Sequence, residues 1–162
     1  SNGTYLFRWG YQTVDNRSFQ PWDLAVDSLG NVFVADNANQ RVQKFSGNGT
    51  FLTELGKYGF GDGQFSFPQG IAVDFNGSVY VADTDNYRIQ KFSNNGEYLT
   101  QWGSQIQGNG YFNKPIGLAV DASGNVYVGD TYNFRVQKFS STGVYLAQWG
   151  SLGSGNGQFS NI

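Results

Sequence analysis

The stretch PQGIAVDFNGSVYVADTDNYRIQKFSNNGEYLTQWG, residues 68–103, decides the fold because similar copies of it lie on either side. The three copies begin at Pro21, Pro68 and Pro115, so successive copies are 47 residues apart, and they align without a gap. A period of about 20 to 50 residues is typical of proteins built from stacked supersecondary units. The sequence therefore predicts a repeat architecture.

Each copy predicts four short strands. In the middle copy the apolar or alternating runs cover residues 71–74, 79–82, 88–92 and 98–102. Glycines at fixed positions between the strands supply the positive φ that tight hairpin turns need. No segment has a sustained 3.6-residue apolar period, so almost no helix is expected. Four short antiparallel strands, repeated along the chain, are the pattern of a β-propeller blade, whose apolar faces need a neighbour on each side.

The chain divides into three whole units and two partial ones. Residues 21–67 form blade 1, residues 68–114 form blade 2, and residues 115–162 form blade 3 with a following connector. Residues 1–20 are predicted to hold an extra outer strand, at residues 4–9, and a connector. The predicted fold is an all-β propeller segment with three four-stranded antiparallel blades per chain.

The pattern P-x-G-[IL]-A-V-D-x-x-G-N-V-Y-V-x-D-x-x-N-x-R-[IV]-Q-K-F resembles the NHL repeat, and the likeness covers essentially the whole chain. The resemblance implies a β-propeller, most often with six blades. Because three blades cannot close a ring, we expect half of a six-bladed ring. A homodimer, a polymer or a longer parent protein could supply the missing blades. The spare strand at residues 4–9 slightly favours a longer protein or a polymer over the dimer.

Composition excludes several function classes. The chain has 10 Lys and Arg against 12 Asp and Glu, which argues against nucleic-acid binding. No apolar run approaches the roughly 20 residues that cross a bilayer, so membrane insertion is not expected. Cysteine and histidine are absent, so the histidine chemistry of some NHL-like lyases cannot transfer. The sequence predicts no cofactor, no metal and no enzymatic activity.

One polar set recurs in every blade and could form a ring that binds an anion or a metal. Its repetition favours a structural role instead, with Asp and Asn capping turns and Arg pairing with Asp. The same two alternatives, calcium binding in a central channel or turn capping, apply to Asp27, Asp74 and Asp121, and capping is favoured. The recurring set is Asp36, Asn39, Arg41, Asp83, Asn86, Arg88, Asp130, Asn133 and Arg135.

Positions between the second and third strands differ from blade to blade and lie on one face of the propeller. Exposed aromatic side chains there suit protein or glycan recognition, and packing against the neighbouring connector is the alternative. The candidate residues are Asn37, Ala38, Gln40, Asp85, Tyr87, Tyr132 and Phe134.

These features predict a non-catalytic scaffold for protein or glycan interaction or for self-assembly, placed outside the cell or on its surface. The alternative is a structural subunit of an extracellular fibre. A propeller enzyme and an RNA-binding module, as in some NHL proteins, are the weaker hypotheses.

Overall fold

The computed structural model describes residues 19–106 and 108–160 and has twelve β-strands in this part of the chain. In each blade the connection between the second and third strands contains one short 3₁₀ turn, at Asn37–Asn39, Thr84–Asn86 and Thr131–Asn133. The strands are β1 (Pro21–Val26), β2 (Val32–Asp36), β3 (Arg41–Phe45), β4 (Phe51–Leu55), β5 (Pro68–Val73), β6 (Val79–Asp83), β7 (Arg88–Phe92), β8 (Tyr98–Trp102), β9 (Pro115–Val120), β10 (Val126–Asp130), β11 (Arg135–Phe139) and β12 (Tyr145–Trp149).

The strands form three four-stranded antiparallel sheets, each in sequence order. The predicted third and fourth strands of each blade match the observed bounds. The first strand starts three residues earlier than predicted, at the repeated proline, with an irregular register near its start. The first strands β1, β5 and β9 lie beside one another, which makes them the inner strands of the array. The predicted blade architecture is therefore confirmed.

Tight hairpins connect the first two strands of each blade. In blade 1 the Asp27 N–H donates to Asn31 O at 3.0 Å, and the Gly30 N–H donates to Asp27 O at 3.0 Å. Gly30 has φ +81°, and its counterparts Gly77 and Gly124 have φ +82° and +80°. Glycine adopts this conformation without a Cβ clash, so its fixed position sets the hairpin in every blade.

Two apolar cores lie between neighbouring blades. We call the side of a blade that meets the preceding blade its leading face, and the opposite side its trailing face. Alternate residues along each strand point to opposite faces, and this explains why the second strand is apolar on both sides. The first core contains Phe33, Ala35, Val42, Leu55, Phe65, Ile71, Val79, Val81 and Phe92; the second contains Tyr80, Ala82, Ile89, Phe112, Val126, Val128 and Phe139.

Each blade is followed by a connector that places a phenylalanine over the end of the fourth strand. A Cβ on Gly56 would lie 2.1 Å from the Phe65 ring, and Gly103 and Gly150 approach Phe112 and Phe159 in the same way. Phe65 and Phe112 are buried in the core that the next blade completes. Phe159 has the same local arrangement, although no described blade follows it.

The two end faces of the three-blade array are partly uncovered. On the leading face of blade 1, Leu24 is 59% exposed, whereas its counterpart Ile71 is 3% exposed. On the trailing face of blade 3, Trp149 is 45% exposed. The ring itself stays a prediction, and the predicted outer strand at residues 4–9 lies outside the described residues.

Candidate interaction faces

The array has two rims with different chemistry. The connector rim carries the 3₁₀ turns and the blade-to-blade connectors. The hairpin rim carries the turns between the first and second strands and between the third and fourth strands. The strand registers place two predicted sets of residues on the connector rim: the recurring Asp, Asn and Arg set, and the variable positions between the second and third strands.

A buried carboxylate organises the connector rim in each blade. In blade 2, Asp83 Oδ1 accepts from the Ser66 N–H at 2.7 Å. Its Oδ2 accepts from Asn86 Nδ2 at 2.9 Å and Arg88 Nε at 2.7 Å. Gln90 Nε2 donates to the same Oδ2 at 2.9 Å. Burial is the largest influence and raises the pKa of Asp83 above its usual value, although the hydrogen bonds from Ser66, Asn86 and Arg88 act to lower it.

The same arrangement holds in blades 1 and 3. Asp36 accepts from Asn39 and Arg41, and Asp130 accepts from Asn133 and Arg135. An ionised carboxylate offers about four acceptor positions, and four donors already point to Asp83. The whole recurring set therefore forms hydrogen bonds within the protein, as the structural alternative expects.

Arg88 also fixes the connector that precedes its own blade. Its Nη2 donates to Gly61 O and Gln64 O, both at 2.8 Å, and its Nη1 donates to Gln101 Oε1 at 2.6 Å. Sequence reasoning missed Gln90 and Gln101, which complete this arrangement. The signal was present, because Gln43, Gln90 and Gln137 recur at the same position of the third strand in every blade.

The structure divides the predicted variable positions of the connector rim into buried and exposed residues. Asn37 is 8% exposed, and its Nδ2 donates to Pro68 O of the next blade at 3.2 Å. Asn37 is thus buried in a contact between blades 1 and 2. Gln40 likewise donates to Asn37 O and accepts from the Phe67 N–H. Ala38 is exposed.

The predicted positions in blades 2 and 3 range from half-buried to exposed. Lys114 Nζ lies 2.6 Å from Asp85 Oδ1 and 5.3 Å from the Tyr87 ring centroid, so these side chains pack on the neighbouring connector. The hydrogen bond to Asp85 raises the pKa of Lys114. Tyr132 is 61% exposed, and Phe134 is half-buried. Gln40, Tyr87 and Phe134 all have a positive φ near +55°. The sequence does not predict this conformation, because none of the three is a glycine.

The aspartates that end the first strands lie on the hairpin rim. Asp27 Oδ1 accepts from the N–H groups of Leu29 and Asn31, at 3.0 and 2.9 Å. Asp121 makes the equivalent contacts with Ser123 and Asn125. The side-chain hydrogen bond from Asn125 is the main cause that lowers the pKa of Asp121 to about 2. The hydrogen bonding is that of turn-capping aspartates.

The described residues contain no group of three His, Cys, Asp or Glu side chains that could hold a metal ion. Within the same residues, no helix has the length and apolar character that a membrane crossing requires.

Four-stranded antiparallel sheets stacked face to face define a segment of a β-propeller. The family model for the NHL repeat matches residues 20–45, 65–92 and 112–139, one match in each blade. The chain belongs to the NHL repeat family. Among curated proteins, no sequence matches it significantly.

Solved structures of propeller proteins resemble the chain. A streptogramin B lyase matches with a TM-score of 0.62 at 22% identity, over 80% of this chain and 39% of its own. A catalytically inactive histidine-to-alanine variant of virginiamycin B lyase from Staphylococcus aureus, with quinupristin, matches with a TM-score of 0.66 at 16% identity, over 86% of this chain and 43% of its own.

Hydrazine synthase from Kuenenia stuttgartiensis matches with a TM-score of 0.64 at 12% identity, over 88% of this chain and 40% of its own. The chain thus spans about two fifths of the length of these structures. At such identities the likeness concerns the fold.

Proposed function

We propose that this chain is a non-catalytic NHL propeller scaffold whose end blades dock onto the end blades of a second copy. The observation that carries the proposal is the hydroxyl of Thr131. This atom is buried and has no hydrogen-bond partner among the described residues. Its counterpart Thr84 Oγ1 donates to Pro115 O of the next blade at 2.8 Å, and Asn37 makes the same contact with Pro68. A blade docked after blade 3 would offer the Thr131 hydroxyl the carbonyl oxygen that its counterpart Thr84 uses.

Side chains on the open ends match those of the two internal interfaces. The trailing face of blade 3 presents Tyr127, Val136 and Trp149 where blade 2 presents Tyr80, Ile89 and Trp102 to blade 3. The leading face of blade 1 presents Leu24 and Val26 where blade 3 presents Leu118 and Val120. A second copy can repeat an interface that the chain already makes twice within itself.

The exposed apolar side chains give this docking its driving force. Burying apolar surface contributes roughly 25 cal/mol per Å², and apolar patches left in water favour association. Two chains of three blades make six, which lies within the 4 to 8 blades of closed propellers. Head-to-tail contacts that do not close would produce a fibre, the alternative form of the same assembly.

The absence of histidine and cysteine supports a non-catalytic role. The inactive lyase variant shows that a histidine matters in that relative, and this chain has none. The exposed side chain of Tyr132 on the connector rim is the proposed contact for a protein or glycan ligand. An extracellular or cell-surface location is part of the same proposal and rests on the low charged fraction of 14%.

Sedimentation equilibrium of the purified chain tests the assembly. We expect twice the mass of one chain, and electron microscopy should show closed rings. Trp149→Ala should shift the protein toward one chain mass. The matched control is Leu146→Ala, because Leu146 is similarly exposed at 48% and its counterparts Leu52 and Leu99 stay exposed inside the array. A well-behaved single-chain mass for the parent protein would contradict the proposal.

A further inference from the structure

A polar cavity of about 190 Å³ lies on the hairpin rim between blades 2 and 3. Its lining residues include Asp74, Phe75, Lys91, Asp121, Ser123 and Ser141. It is smaller than the roughly 300–1,000 Å³ typical of drug-sized ligands, so it suits one small polar unit.

The equivalent place between blades 1 and 2 is filled by the protein itself. There the carboxamide of Asn94 bridges two charged side chains of blade 1. Its oxygen accepts from Lys44 Nζ, and its Nδ2 donates to Asp27 Oδ2 at 3.1 Å. Asn94 therefore shows what kind of group fits this site. It is a neutral group that accepts a hydrogen bond from an ammonium and donates one to a carboxylate.

Blade 3 has Ser141 where blade 2 has Asn94. The shorter side chain leaves Lys91 and Asp74 of blade 2 without a bridging carboxamide. Lys91 Nζ donates to Ser141 O at 3.1 Å, which uses one of its three N–H donors. Asp74 is 8% exposed and accepts from the Ser78 N–H and the Tyr80 hydroxyl, at 2.8 and 3.0 Å. These two donors use about half of the acceptor positions of the carboxylate, which lines the cavity.

A second departure from the repeat falls at the same cavity. The residue after the capping aspartate is Ser28 in blade 1 and Ala122 in blade 3, but it is Phe75 in blade 2, where the ring is 85% exposed. A large apolar side chain held in water beside a polar cavity has no role in the described fold. Its flat face suits the C–H face of a sugar ring.

We propose that this cavity binds a single neutral saccharide unit, free or at the end of a glycan. Adjacent sugar hydroxyls would accept from Lys91 and donate to Asp74, as the Asn94 carboxamide does with Lys44 and Asp27. The sugar ring would lie against Phe75. The cavity is built from two blades of one chain, so this site does not depend on the assembly proposed above.

NMR titration of the isotope-labelled chain tests the proposal. The probes are methyl α-D-glucoside, methyl α-D-mannoside, methyl β-D-galactoside and N-acetylglucosamine, each added separately. At least one should give saturable shifts at the amides of Ser78, Ser123 and Ser141. Acetamide serves as the probe for a protein carboxamide. Saturable shifts with acetamide and with no sugar would overturn the proposal in favour of a protein ligand.

Two variants locate the binding site. Ser141→Asn restores the carboxamide found between blades 1 and 2 and should abolish the sugar-dependent shifts while the fold is kept. Phe75→Ala should lower affinity about fivefold, the value expected for one aromatic contact. Leu29→Ala is the matched control, because Leu29 is 83% exposed on the equivalent turn of blade 1. Sugar binding that survives Ser141→Asn, or no saturable shift with any probe, rules the site out.

Discussion

The hydroxyl of Thr84 donates a hydrogen bond to the carbonyl oxygen of Pro115, 2.8 Å away, and thereby ties blade 2 to the first strand of blade 3. Thr84→Val keeps the shape of the side chain but leaves that buried carbonyl oxygen without its donor. We expect a loss of about 1–3 kcal/mol in the free energy of unfolding, measured by urea denaturation.

Thr131→Val is the matched control for this bond. Thr131 is equally buried but has no partner among the described residues, so the substitution should not lower the stability of the single chain. In the assembled protein it should weaken association. Equal losses for both variants at protein concentrations where only single chains exist would contradict this assignment.

Gly70 and Ile116 limit how closely blades 2 and 3 can approach. A Cβ on Gly70 would lie 1.8 Å from Ile116 O, and a backbone atom cannot move aside as a flexible side chain can. Gly70→Ala should therefore force the inner strands apart and cost about 1–3 kcal/mol, as other overpacking substitutions do. Thermal unfolding measures the effect.

Gly117 holds the same repeat position in blade 3 and provides the comparison. A Cβ there would have no atom within 4 Å. Gly117→Ala should leave the folding of one chain unchanged or raise its stability by up to about 1 kcal/mol, because alanine lowers the entropy of the unfolded chain. If Gly117→Ala were as destabilising as Gly70→Ala, the close approach would not be the cause.

The sequence predicts the strands because glycine turns and apolar runs recur in a 47-residue register. The sequence also predicts the open ends, because three blades cannot close a ring. Contacts between blades are harder to predict, since Asn37 and Thr84 bond to prolines 31 residues away, and nothing local in the sequence indicates that separation. The polar cavity was also missed. Only the structure places Asn94 between Lys44 and Asp27, and only then does Ser141 at the same repeat position become informative.

Asp83 has the largest predicted effect among the polar residues. Asp83→Ala removes the shared acceptor of Arg88 and Gln90, both of which are buried. Removing one partner of a buried ion pair costs about 3–5 kcal/mol because the remaining charge stays uncompensated. Urea denaturation monitored by tryptophan fluorescence measures the loss.

Asp85→Ala is the control for Asp83→Ala, because Asp85 is also a carboxylate and lies only two residues further along the chain. Its ion pair with Lys114 is partly exposed to solvent, and such pairs contribute about 0–1 kcal/mol. Similar losses for the two substitutions would show that Asp83 acts as an ordinary surface charge.

Acid should weaken the hairpin rim through Asp121. The pKa of this carboxyl is lowered from its usual 3.8 to about 2, first by the hydrogen bond from the Asn125 side chain. A carboxyl group whose pKa is lower in the folded state stabilises the fold at pH values above its unfolded-state pKa. That contribution is present above pH 4 and is lost as the pH falls from about 4 to 2. Carbon-detected NMR titration follows the carboxyl directly.

Asn125→Ala removes the largest cause of the shift, so the pKa of Asp121 should move back toward 3.8. Acid unfolding should then begin at a higher pH than in the parent protein. Ser123→Ala is the control, because Ser123 contacts Asp121 through its backbone N–H, which the substitution keeps. The explanation fails if the pKa of Asp121 stays near 2 in Asn125→Ala, since the backbone bonds and Tyr127 would then be sufficient to hold it there.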